Sequence, residues 1–325
     1  MVYVEALSKV LPVILLFLLG AFLNKLHFIR SEAIQDMKKL VLNVTLPAVL
    51  FLAFSRVSLE ARHLLIVGIV FSACVVALLA GRLIRPLVHI ESPYFPALMT
   101  GFEAGMMGYA IFGAVYGAES IFKFGIIDLG QVTFVFFVLA SVLERYRAGT
   151  KRFSKTLLGF FTTPVILSIL LGILANRTGV MPPLNAWPVS AAVLKTVEMV
   201  SGLTTPLIAL VIGYEMRLEK SGLLKPLQSI GLRLLFWVPA GLLFNALVID
   251  RLLHLDRGFQ AAVLTMFILP PPFIIPLFIK ESDDQDRAYV VNTLSLATLV
   301  TLFAFAIISV LYTPASSGAS LIHLP

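Results

Sequence analysis

This sequence has little charge. Asp, Glu, Lys and Arg together make up 13% of its 325 residues, about half the share usual in soluble domains. No polar stretch longer than a short loop separates the apolar runs, so there is no room for a soluble catalytic domain or a nucleic-acid-binding module. There is one cysteine, Cys74, which cannot form an internal disulfide and reads as a buried small hydrophobe. The five histidines, His27, His63, His89, His254 and His323, are scattered near loops or the tail with no ligand spacing. Without a metal set or a nucleophile–base pair, an intramembrane enzyme is not expected, nor is a cofactor or a bound metal.

Apolar surface is abundant. Hydrophobic residues account for 59% of the chain and the mean hydropathy is +0.96, more than a soluble globule of this length could bury. Ten segments approach the roughly 20 residues that cross a bilayer. They run over 7–24, 36–54, 63–81, 94–116, 121–143, 155–174, 189–213, 224–248, 259–279 and 289–311. The expectation is an all-α polytopic membrane protein of ten transmembrane helices, with the lipid bilayer as its constant partner. Glu5 and Lys9 at the start of the first span, and the lack of a small-residue cleavage site, predict that this span is retained. With the N-terminus outside, inner loops hold sixteen Lys and Arg against eight outside. The positive-inside rule therefore places both termini on the non-cytoplasmic side of a cell membrane.

Pro270, Pro271 and Pro272 stand inside the ninth span. Proline has no backbone donor and its ring clashes with the preceding turn, so this span must break near its centre. Broken backbone at membrane depth is tolerated only where protein or a watery cavity covers it, as at the substrate sites of secondary transporters. The sequence also repeats itself. Pro12 to Leu15, Gly20 and Asn24 recur as Pro164 to Leu167, Gly172 and Asn176, at an offset of 152. Thr45-Leu46-Pro47 and Leu59-Glu60 recur as Thr204-Thr205-Pro206 and Leu218-Glu219, at an offset of 159. Five spans per half turn the second copy upside down, an inverted repeat. Residues 1–145 form the first five-helix repeat, 146–154 a cytoplasmic linker, and 155–325 the inverted second repeat. Inversion sets the Gly101, Gly105, Gly108 and Gly113 stretch of span 4 opposite the prolines of span 9, predicting two broken helices that cross.

Pro12 to Gly20, the Leu42-to-Pro47 segment, Gly105-x-x-Gly108, Gly117-x-Glu119, Asp128-Leu129-Gly130 and the proline-broken ninth span resemble the auxin efflux carrier family. That family includes plant auxin carriers and bacterial permeases for malate or malonate. The resemblance implies a scaffold of spans 1, 2, 6 and 7, able to pair two protomers as a homodimer, and a transport domain of the other six with spans 4 and 9 crossing. The chain departs from the family at the crossing. Glu103 stands near the family's Asn, Ala110 where a Pro is usual, and Phe273 to Ile275 where a polar residue is usual.

Ionisable residues inside a membrane are functional candidates by default. Glu103 lies beside the expected break and is the preferred proton-coupling residue, with sodium coupling or uniport as alternatives. Glu198, mid-span in the seventh segment, is a second coupling candidate. Asp128 and Gln131, one turn apart, can face the crossing. Arg233 is read equally as snorkelling or as touching substrate. Asn43, Thr45, Gly105, Gly108, Tyr109, Thr205 and Pro270 to Pro272 complete the substrate-site candidates. The expected function is secondary transport of a small organic anion, a carboxylate, by alternating access. The alternatives are a membrane solute sensor or channel, or a carrier of a non-carboxylate solute such as an amino acid.

Overall fold

The computed structural model describes residues 2–57, 60–148, 162–216, 222–280 and 283–312. Residues 149–154 of the linker, the start of the sixth expected span at 155–161, and Leu59, Leu218 and Glu219 of the repeat lie outside the described residues. The chain is helical, with no strand among the described residues. Helices α1 (Val2–Lys25), α2 (Ser31–Ser55) and α3 (Ala61–Ile84) are followed by a single turn, Phe95–Leu98. Then come α4 (Ala104–Tyr116), α5 (Ala118–Tyr146), α6 (Pro164–Arg177) and α7 (Pro188–Glu215). After them run α8 (Leu224–Leu252), α9 (Arg257–Ile268), a turn at Ile275–Phe278, and α10 (Asp284–Leu311).

Six of these helices, α2, α3, α5, α7, α8 and α10, are long and apolar enough to cross a membrane. The molecule is a multi-pass membrane protein. Residues Val10–Lys25 of α1, with α4, α6 and α9, form shorter apolar helices. Two are short because their spans are interrupted: 99–103 precedes α4 and 269–274 follows α9. The outer surface is apolar, as lipid requires: Leu11, Leu15, Leu18 and Phe22 of α1 and Leu235, Leu242 and Leu243 of α8 are exposed. The opposite extreme is α9, in which Ala261 to Ile268 are all buried. A stretch buried on every side in this way lies among the other helices rather than against lipid.

Close helix contacts depend on small residues, since lipid supplies no hydrophobic drive for helices to associate. A Cβ on Gly20 of α1 would run into the Leu210 carbonyl of α7, and one on Gly172 of α6 would sit 2.8 Å from the Phe51 carbonyl of α2. Beside each glycine an asparagine ties the same helices: Asn24 Nδ2 donates to Tyr214 O (2.5 Å), and Asn176 Nδ2 donates to Ser55 O (3.1 Å). Gly172 and Asn176 follow Gly20 and Asn24 by 152 residues, and Leu210 and Tyr214 follow Phe51 and Ser55 by 159. The α1–α7 and α6–α2 joints are thus built alike.

Overpacking these joints is expected to be expensive. Gly20→Leu and Gly172→Leu should each destabilise the protein by about 1–3 kcal/mol or more, read as a lowered unfolding temperature in detergent. Gly68→Leu, at a position with nothing within 4 Å, should leave it unchanged.

Candidate functional site

The two interruptions meet at the centre of the molecule. In the first, Gly101 has φ +65°, a left-handed conformation natural to glycine, and a Cβ there would lie 2.8 Å from the Pro272 ring. In the second, Leu269 turns to extended backbone ahead of the three prolines. One backbone bond joins them, Glu103 N–H to Pro270 O at 2.9 Å. Gly105, Gly108 and Gly113, expected to loosen span 4, lie inside α4 instead. Gly108 is there for packing: a Cβ would collide with Phe124 and sit 2.8 Å from Leu269 Cδ1.

Each interruption leaves backbone groups without helical partners, which is costly in a medium without water. Charged side chains satisfy both kinds. On the carbonyl side, the Arg233 guanidinium of α8 donates to Leu98 O (2.9 Å), Gly101 O (2.5 Å) and Leu269 O (3.1 Å). Arg233 is 3% exposed and stacks 4.9 Å from the Phe102 ring centroid, so it does not snorkel. Trp237 Nε1 donates to Met99 O (2.8 Å) and the Thr301 hydroxyl to Ile268 O (2.6 Å). On the amide side, the Glu103 carboxylate accepts from Met106 N–H at 3.0 Å and Phe273 N–H at 2.6 Å. A cation lies against helix C-terminal carbonyls and an anion against a helix N-terminus, the arrangement helix dipoles favour.

Asp128, Gln131 and Tyr109 come together, all buried. The Tyr109 hydroxyl donates to Asp128 Oδ2 and Gln131 Nε2 to Asp128 Oδ1, both at 2.8 Å, and Phe102 N–H donates to Gln131 Oε1 at 3.2 Å. The chain of bonds ends at the first interruption, and none of the three lines a cavity described here. Asn43 is exposed, its amide turned to Lys39 O. Thr45 is 1% exposed with an unpartnered hydroxyl, and Thr204, its counterpart at the offset of 159, is likewise buried and unpartnered. Thr205, named from the sequence, is half-buried with only a long 3.5 Å contact to Ala110 O.

Two cavities flank the crossing. The first, about 420 Å³, is lined by Gln35 and Lys38 of α2, Glu215 of α7, Phe273 of the second interruption, and Ser295 and Thr298 of α10. The second, about 560 Å³, is lined by Arg56 just past the end of α2, Glu198 and Thr205 of α7, Gly113 of α4, and Glu119 and Ile121 of α5. Both volumes suit a small solute. Each contains an ion pair between α2 and α7: Lys38–Glu215 at 2.9 Å and Arg56–Glu198 at 2.7 Å. Glu198 also meets Lys195 at 3.2 Å, so it is occupied at a cavity wall and stands apart from the crossing. Only the first cavity reaches a residue bonded to Glu103, namely Phe273.

The sequence did not indicate Trp237 or the Lys38–Glu215 pair. Trp237 lies one turn beyond Arg233 on the same face, a spacing that could have linked them.

No protein-family model matches the chain. It is similar to an uncharacterized transporter of Methanothermobacter thermautotrophicus, with 22% identity over 323 residues, covering 95% of this chain and 99% of the relative. That likeness and the apolar helices support a membrane transporter as the general class.

Arg233→Met would orphan three carbonyls at once. It should destabilise the fold by about 3 kcal/mol, the upper range for hydrogen bonds to a charged group, measured as thermal unfolding in detergent. Arg233→Lys should recover only part, because an ammonium cannot span the guanidinium's fork.

Proposed function

We propose that the chain is a secondary transporter that moves a small organic anion, a carboxylate, by alternating access, coupled to protons through Glu103. The reading rests on an architecture of two inverted five-helix repeats, in which α1, α2, α6 and α7 form a scaffold. The remaining helices, with both interruptions, form the moving domain. The matching Gly20–Asn24 and Gly172–Asn176 joints support that pairing, since the two offsets that relate the sequences also relate the contacts.

The observation that carries the proposal is the pair of cavities. Each lies between α2 and α7 on one side and a broken span with its successor on the other. The first uses the N-terminal end of α2, the C-terminal end of α7, span 9 and α10. The second uses the C-terminal end of α2, the N-terminal half of α7, span 4 and α5. Exchanging the repeats exchanges the cavities, which is how an inverted-repeat carrier opens to opposite sides. With both termini outside, the Lys38 cavity faces inward and the Arg56 cavity outward. The inward cavity reaches Phe273 beside Glu103, so the conformation is inward-facing. An organic anion suits a crossing whose α4 N-terminus and Phe273 amide already hold a carboxylate.

In proteoliposomes, malate or malonate uptake should saturate and be accelerated by the same solute on the far side. Flux that rises without saturation would identify a channel, and binding without flux a sensor. Cys74 is buried and silent, so introduced cysteines report orientation. In sealed cells Glu119→Cys should react with an impermeant thiol reagent, whereas Gln35→Cys should react only after permeabilisation.

A further inference from the structure

Glu103 does what a bound anion would do. Its two oxygens take one N–H from each side of the crossing, Met106 in the first turn of α4 and Phe273 after the prolines. Those amides belong to segments far apart in sequence, and the carboxylate joins them. Glu103 is itself buried, 8% exposed. A side-chain carbon added at Gly105 would fit beside it, 3.9 Å from Glu103 Oε1 and 3.8 Å from Leu42. The 420 Å³ cavity reaches Phe273, which supplies the second N–H.

Among the described residues, the cations nearest the crossing already have partners. Lys38 of α2 and Asp128 of α5 act electrostatically on Glu103, Lys38 is itself paired with Glu215 of α7, and Arg233 of α8 is spent on three carbonyls. Arg56, lining the second cavity, is paired with Glu198. The amides that Glu103 holds are donors already arranged to fit a carboxylate.

We propose that Met106 N–H and Phe273 N–H form a carboxylate seat that ionised Glu103 fills from within the chain, so that substrate anion and ionised Glu103 exclude one another. The substrate takes the seat only after Glu103 has accepted a proton on one oxygen and swung aside. The substrate then replaces one negative charge with another, and Lys38, Asp128 and Arg233 face the same net charge in either state. One proton enters with each anion and leaves when Glu103 returns. This rests on the carrier reading above and supplies its stoichiometry. The ligand class is a small solute presenting an unhindered carboxylate.

The test uses formate and acetate as probes on purified full-length protein, reading thermal unfolding by tryptophan fluorescence across pH. In the wild type the apparent formate affinity should weaken about tenfold per pH unit on the alkaline side, following the fraction of Glu103 that is protonated. In Glu103→Gln, which cannot ionise, that slope should vanish. In Glu103→Ala, which empties the seat, formate should raise the unfolding temperature saturably and independently of pH. If the alanine variant does not fold, the wild-type and glutamine slopes decide alone. A wild-type affinity indifferent to pH, a Glu103→Gln slope equal to the wild type's, or a folded Glu103→Ala protein that ignores both anions overturns the proposal. Saturable carboxylate flux alongside any of these leaves the carrier standing and removes the seat. Absence of carboxylate flux in the wild type, with formate still stabilising Glu103→Ala, removes the carrier reading and keeps the seat.

Discussion

Everything at the centre of this protein answers to backbone groups that two interrupted helices leave unpaired in hydrocarbon. Each such group costs several kcal/mol if left bare in lipid. Polar side chains satisfy them, with Arg233 and Trp237 for carbonyls and Glu103 and Gln131 for amides. The burial of α9 follows, because an interruption can persist only if protein surrounds it. So do the cavities, which occur where the interrupted spans cannot pack flush against α2 and α7.

The long apolar runs and the proline triplet were readable because their physics is local. A bilayer needs a certain length of apolar helix, and three prolines cannot lie within one. The repeat was readable because Gly20, Asn24 and Pro47 recur at fixed offsets, and the joints at Gly20 and Gly172 keep those offsets in space. The place of the first interruption was harder to read. Four glycines invited a break across 101–113, yet only Gly101 takes a left-handed angle, and Gly108 serves packing with Phe124 and Leu269.

The chemistry of the crossing depended on partners distant in sequence. Glu103 was identifiable as an acid near a break, but its bond to Phe273 spans 170 residues and has no signature in composition. Arg233 looked equally suited to snorkelling or to substrate, because a sequence does not show which carbonyls lie across from it. Asp128 and Gln131 were read as a pair that could face the crossing and Tyr109 as a separate candidate; the bonds that join all three account for their polarity without a ligand. Thr204 and Thr205 were equivalent in sequence beside Pro206, yet Thr204 is the buried, unpartnered hydroxyl, a one-residue difference that turns a helical side chain by about 100°.

The ion pairs between α2 and α7 share a polarity. In both, the base comes from α2 or the residue just past its end (Lys38, Arg56) and the acid from α7 (Glu215, Glu198). Two copies of the first half, set against each other as α2 is set against α7, would bring lysine and arginine onto basic neighbours. Two copies of the second would crowd glutamates together. The contact between these two helices is therefore complementary in charge at both of its ends, with both bases on one side and both acids on the other.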